Sequence, residues 1–298
     1  MGLDAMIAHE ERYARADEFL EICYALWDAW DEGAVIRDTE NASFVDPSRV
    51  REVDFQGQYM RCKTRPFTLP LEPYRRPVLW QAGGSSSGRD FAVRHADSVF
   101  HVAPTAQTMR AYTDDIRDRL ERAGRDPDSI RIIFGLQTFV GKTRTEAEEK
   151  YAEVRENMSL EAALTIMSGH FGLDLSTFDI DADMRSAGRD PAMEGAVGQL
   201  EAIMAAGDPT QPLTIRNAAE IYGISCAAPI LVGSASDIAD QMEDYAETGG
   251  GDGFMIFSTY VPGCYEEFVD LVVPELQRRG RFRKKYTGRT LRHHLSEY

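Results

Sequence analysis

Along residues 9–30, Phe19, Cys23, Leu26 and Trp30 recur at intervals of three and four between charged positions, which predicts an amphipathic helix. Val53 and Phe55 before Gln56-Gly57, with Tyr59 after, predict a short hairpin over 50–60. A Pro-rich bridge (Pro66, Pro70, Pro73, Pro77) then leads to the apolar run Val78–Ala82, followed by Gly83-Gly84-Ser85-Ser86-Ser87-Gly88 and a helix opening at Arg89. Ser98–Ala103 is the next predicted strand. Thr105 caps a helix whose stripe is Met109, Tyr112, Ile116 and Leu120, closed by Gly124. Ile130–Val140 is the third strand. Thr143 with Glu146 has the spacing of a capping box, and Ala147, Tyr151, Val154 and Met158 form the apolar face of the helix that follows. Ser234 and Asp237 make a second, weaker box before a helix that ends at Gly249-Gly250-Gly251. Gly253–Phe257 reads as a strand, and Phe268–Leu276 as a terminal helix.

Strands alternating with helices imply a parallel sheet with helices outside it, an α/β fold. The strands Val78–Ala82, Ser98–Ala103, Ile130–Val140 and Gly253–Phe257 are half of the eight that close a (β/α)8 TIM-type barrel. Pro229–Val232 is extended but short. Residues 159–228 break the rhythm: they are polar, rich in aspartate (Asp174, Asp179, Asp181, Asp183), and carry a patch of helical pattern from Ala196 to Ala205. The expectation is one partial barrel domain over 1–298 with an insertion at 159–228. The aspartate series lacks the central Gly and final Glu of an EF-hand, so it reads as a solvated acidic loop.

Charge narrows the function classes. A net charge of −16 argues against nucleic acid and against an anionic membrane surface, both of which need a basic face. No apolar stretch approaches the ~20 residues of a membrane span, and Met1 leads into a charged helix without an apolar leader, so a cytoplasmic location is expected. Cys23, Cys62, Cys226 and Cys264 are scattered, with no CxxC pair and no histidine at ligand spacing, so no metal is expected. Buried structural thiols are expected at Cys226 and Cys264, since no base lies beside them in sequence.

Two constellations could carry chemistry. The first is Gly83-Gly84-Ser85-Ser86. Glycines let a backbone approach a ligand closely, the helix that follows offers N–H groups and a positive dipole end, and serine hydroxyls add neutral donors suited to phosphate. The same residues equally suit a tight strand-to-helix turn with a serine cap, and the pattern is neither a Walker loop nor GxGxxG. The second is His9 and Tyr13, four residues apart on one helical face beside Arg12, which could present an imidazole and a phenol to an anion or could be an ordinary amphipathic helix start. His95 and His101 flank the second strand and read as packed or hydrogen-bonded residues; His293 and His294 read as surface. No hydrolase signature is present, and no catalytic residue is assigned.

His9-Glu10-Glu11-Arg12-Tyr13-Ala14-Arg15-Ala16-Asp17-Glu18-Phe19, Pro77-Val78-Leu79-Trp80-Gln81-Ala82-Gly83 with Ser85, Gly88, Arg89, Phe91 and His95-Ala96, and Phe268–Gly280 behind Asp252-Gly253-Phe254-Met255 appear in that order. Together they resemble the luciferase-like flavin-dependent monooxygenases, in particular the nitrilotriacetate, dibenzothiophene-sulfone and pristinamycin monooxygenase group. Glu10 stands where that group has Asp, and Gly84 where it has Ala or Thr. The resemblance implies a luciferase-like (β/α)8 flavoprotein, here its C-terminal part, because the family places its first βα units before the His9 motif. It implies reduced FMN, supplied by a separate NADH-dependent flavin reductase, and O2, with one oxygen atom inserted into a small organic substrate. It implies FMN contacts at His9 and Tyr13, and a phosphate held by Gly83, Gly84, Ser85 and Ser86. A homo-oligomer is expected. The alternative is a flavin- or phosphate-binding half-barrel without turnover that assembles with a partner chain.

Overall fold

The computed structural model of the chain describes residues 7–70, 76–187, 203–204 and 212–297. They fall into two compact units, Met1–Leu79 with Ser86–Ala96, and Trp80–Ser85 with Asp97–Tyr298.

The first unit starts with helix α1 (His9–Trp27), whose first-turn acids Glu10 and Glu11 suit the positive end of the helix dipole. The predicted stripe holds only in part. Cys23 and Leu26 are half-buried, but Phe19 is 55% exposed. Trp30 lies beyond the helix, in an isolated bridge with Val50, and is buried with Ala34 against Val35 and Val45. The helix ends early because Asp28 caps it and the chain turns away through Gly33, whose φ of +75° suits a residue without Cβ. Two antiparallel ribbons follow, β1 (Val35–Asp38) with β2 (Ser43–Val45), which the apolar pattern did not announce, and β3 (Val53–Gln56) with β4 (Arg61–Thr64), the expected hairpin. Glu18 closes the second ribbon's turn by accepting the backbone N–H groups of Gln58, Tyr59 and Met60 at 2.6, 2.8 and 2.9 Å. Helix α2 (Ser86–His95) is tied to α1 through Asp17, which accepts two bonds from Arg94 Nη2 and contacts His95 Nε2 at 2.7 Å, while Tyr24 Oη meets His95 Nδ1 at 3.0 Å.

The second unit is built on a parallel sheet. β5 (Trp80–Ala82) pairs with β6 (Ser98–His101), β6 with β7 (Arg131–Val140), and β7 with both β8 (Ile230–Gly233) and β9 (Gly253–Phe257). The short run after Pro229 is thus a fifth parallel strand, added to the four expected. β7, flanked by β6, β8 and β9, buries nearly every residue, the polar Gln137 and Thr138 among them. Helix α3 (Ala106–Arg122) buries Met109, Tyr112, Ile116 and Leu120 to 3% exposure or less, and Thr105 and Thr108 complete its capping box. Helix α4 (Arg144–Asn157) buries Ala147 and half-buries Tyr151 and Val154. Its capping box is only half made, because Glu146 turns its carboxylate to the Lys142 N–H.

The segment after α4 is not simply a polar loop. Helices α5 (Leu160–Phe171), α6 (Met184–Ala187) and α7 (Ile215–Ser225) enclose their own core, in which Met167, Phe171, Leu175, Ile215 and Tyr222 are at most 1% exposed. The aspartates nonetheless behave as solvated turn residues. Asp174 caps a single helical turn, Asp181 pairs with Arg216 and Asp183 with Arg185. Of the Ala196–Ala205 pattern only Ile203 and Met204 are among the described residues; both are helical, and Ile203 is buried. Helix α8 (Ala235–Gly249) opens on a complete Ser234–Asp237 capping box. The expected terminal helix is a π-type turn, Phe268–Val272, between α9 (Gly263–Glu267) and α10 (Val273–Arg278), and a further helix α11 (Leu291–Ser296) closes the chain.

Candidate functional site

In parallel α/β sheets, ligands collect where loops leave the carboxyl ends of the strands. β5 ends at Ala82, so Gly83-Gly84-Ser85 occupies that position. The loop is held from behind: the hydroxyl of Tyr112, on α3, donates to the carbonyl of Gly83 at 3.2 Å. Tyr112 is itself fixed by His101, stacked at a ring-centroid distance of 4.0 Å and 11°, and by the edge of Phe134 at 6.0 Å. His101 is therefore a packed residue, as expected. The same carboxyl end of the sheet holds a group that sequence reading did not assemble. Lys150 Nζ donates to the carbonyl of Val140, the last residue of β7, at 2.9 Å and to Glu267 at 2.7 Å, and the Tyr260 hydroxyl bonds the other Glu267 oxygen. Burial, and then the Glu267 carboxylate, push the Tyr260 phenol up to about 12. Lys150 is four residues from Glu146, but nothing local points it at Glu267, 117 positions away.

In the other unit, α2 starts at Ser86 rather than at Arg89, so Ser86 and Ser87 belong to its first turn, which contains no acid. Gly88 is buried behind them. His9 and Tyr13 do share a face, their rings in an edge-on contact at 5.0 Å, and Tyr13 continues to Phe91 at 5.6 Å and Phe91 to His95 at 4.7 Å. Glu10 was missed. Its carboxylate accepts the Ser87 hydroxyl at 2.7 Å and contacts His9 Nδ1 at 2.9 Å. These two contacts, Ser87 first, hold it below the usual carboxylate range.

Other expectations fare unevenly. His95 is packed and bonded on both ring nitrogens, as expected. Cys264 is buried, but Cys226 is exposed, because it is the left-handed cap residue where the chain leaves α7. His293 is exposed, whereas His294 is half-buried and packs on Tyr286 at 4.5 Å. Among the described residues there is no acid, cysteine and histidine cluster that could hold a metal ion, and no helix long and apolar enough to cross a membrane.

The sequence profile described as "Luciferase-like monooxygenase" matches residues 1–252. The dibenzothiophene-sulfone monooxygenase of Rhodococcus erythropolis is 36% identical over 295 residues, which is 99% of this chain and 65% of the relative. The crystal structure of DmoA from Hyphomicrobium sulfonivorans superposes with a TM-score of 0.86 at 33% identity, covering 99% of this chain and 61% of that one. A riboflavin lyase solved with modified FMN and riboflavin superposes with a TM-score of 0.85 at 30% identity, covering 98% of this chain and 63% of the lyase. The chain thus spans less than two thirds of each. The expected α/β fold of luciferase-like, TIM-type architecture is borne out.

Proposed function

Because the chain belongs to the luciferase-like monooxygenase family, we propose that it serves an FMN-dependent monooxygenation of a small organic substrate, with reduced flavin delivered by a separate NADH-dependent reductase. The observation that carries the cofactor assignment is the passage from β5 through Gly83-Gly84-Ser85 into a helix with no acidic residue of its own in the first turn. Residues of this kind suit a phosphate monoester. Glycines at 83 and 84 keep side chains out of the approach, Ser85 and Ser86 carry neutral hydroxyls, and the opening helix contributes the positive end of its dipole. The riboflavin lyase with FMN among the similar structures supports a flavin ligand. Reduced FMN, when bound, supplies the activation of O2. His9 and Tyr13 are proposed as flavin contacts: Glu10 orients the His9 ring, and Phe91 backs Tyr13. Their work is to bind and orient the cofactor and to exclude water from it.

The test is Ser85→Asp. A fixed carboxylate beside a phosphate in a site of neutral donors is repulsive, and FMN should bind roughly tenfold more weakly, about 1.4 kcal/mol. Quenching of flavin fluorescence measures it. Equal affinity of variant and native chain sinks the phosphate assignment.

A further inference from the structure

We infer that Glu10 sets how strongly the site distinguishes FMN from riboflavin: its carboxylate is a resident negative charge at the start of α2, where it opposes an incoming phosphate. The inference rests on the reading of residues 83–86 as a phosphate site and deepens it, because it names the residue that tempers the preference for the phosphorylated cofactor.

Hydrogen bonding places the charge. Ser87 is the second residue of α2, and its hydroxyl donates to Glu10 Oε1 at 2.7 Å. Two hydrogen-bond lengths therefore separate that oxygen from the Ser87 amide, a distance of about 6 Å. His9 Nδ1 contacts the same Oε1 at 2.9 Å, so one carboxylate oxygen serves both neighbours. The Ser87 hydroxyl, and after it His9, hold the carboxyl below the usual carboxylate range, which keeps it ionised at neutral pH. The adjacent acid, Glu11, is neutralised by Arg15 at 2.7 Å, whereas Glu10 has no arginine or lysine partner among the described residues. His9, Glu10, Ser87 and the whole of α2 belong to the first compact unit.

α2 has no acid of its own in its first turn, and α1 supplies one from outside. That carboxylate complements the positive end of the α2 dipole while no ligand is present. It becomes a like charge once a phosphate monoester, carrying about −1.5 to −2 at pH 7, arrives at the same helix end. It also engages the Ser87 hydroxyl, a donor that a phosphate could otherwise use. Riboflavin has no such charge and does not feel the opposition. The Glu10 side chain is 78% exposed, so water and salt screen the repulsion and its effect on affinity is a modest one. A modest opposing charge fits a flavin delivered by a separate reductase, which must leave the site as well as enter it, because affinity changes of this kind fall mainly on the rate of release.

The test measures binding of FMN and riboflavin, which differ only in the phosphate, to the full 298-residue chain and its Glu10→Gln variant. Glutamine keeps the length of the side chain and an Oε1 for both Ser87 and His9, and removes only the charge. At so exposed a position it should leave the melting temperature within a few degrees of the native one. FMN should bind Glu10→Gln roughly two- to fivefold more tightly at low salt, with riboflavin unchanged, and the gain should vanish near 1 M salt, where the screening length is about 3 Å. A role confined to orienting His9 would move both flavins together and would not respond to salt. Equal or weaker FMN binding by Glu10→Gln, or an equal gain for both flavins, overturns the inference. Ser85→Asp separates that failure from failure of the reading beneath it. If Ser85→Asp weakens FMN while Glu10→Gln does not tighten it, the phosphate site stands and the inference alone falls. If neither substitution changes FMN binding, the phosphate site falls and the inference with it.

Discussion

Replacing Gly135 by alanine should destabilise the second unit through a single pair of side chains. Gly135 lies in the middle of β7, and a Cβ there would stand 2.7 Å from Cζ and 3.1 Å from Cε2 of Phe257, and 3.4 Å from Cζ of Phe100. Carbon atoms rest comfortably at about 3.5–4.0 Å, so the nearest overlap approaches 1 Å. Phe100 and Phe257 come from β6 and β9, their ring centroids 6.0 Å apart, and the missing side chain at 135 is what lets them close over β7. Forcing them apart costs about 1–3 kcal/mol, typical of overpacking. Alanine returns about 0.4–1 kcal/mol by restricting the unfolded chain. The net effect is a loss on the order of 1–2 kcal/mol, or about 2–8 °C in melting temperature for a unit of this size. Urea unfolding with an unchanged slope measures it directly. Shortening the offending ring in Gly135→Ala/Phe257→Leu should recover about 1 kcal/mol relative to the sum of the single variants, because contacting residues couple. A Gly135→Ala chain as stable as the native one, or a strictly additive cycle, would refute the packing argument.

Two further predictions concern charge and the α1 face. The Glu275 carboxyl is held down to about 2, against an ordinary value of 4.5, by Arg278 and then Arg279. A depressed folded-state value means that its contribution to stability is present above about pH 4.5 and is lost as the pH falls toward 2. Glu275→Gln should therefore flatten the pH dependence of the urea midpoint across that window, and parallel native and variant curves would count against the ion pair. Tyr13→Phe keeps the ring contacts with His9 and Phe91 and should leave the melting temperature unchanged, while FMN affinity falls by about 0.5–1.5 kcal/mol. A collapse in melting temperature would instead make Tyr13 a packing residue, measured by the same thermal scan that controls the binding experiment.

What could be read from the chain alone was what is decided locally. The strands Trp80–Ala82, Ser98–His101, Arg131–Val140 and Gly253–Phe257 follow from short apolar runs bounded by turn residues, and α3 from a stripe that repeats at helical spacing behind a threonine cap. The shared face of His9 and Tyr13 is likewise a consequence of spacing within one helix. Residues whose meaning depends on a distant partner were not legible. Tyr112 reads as one more buried position in its stripe, and only the pairing of β5 with β6 brings the helix after β6 close enough to the loop after β5 for its hydroxyl to reach Gly83, 29 positions away. Glu18 reads as a surface acid until the hairpin turn brings three amides to it. Phe19 fits its stripe by spacing but is exposed, because periodicity says which residues share a face and not what covers that face. The segment from Leu160 to Ser225 looked like a polar excursion because its apolar residues are spread among aspartates. Its core exists only when α5 and α7 are laid against each other, so that Met167 and Phe171 meet Ile215 and Tyr222. Local propensity and period are properties of a few consecutive residues, whereas a site and a core are properties of segments that the chain brings together only on folding.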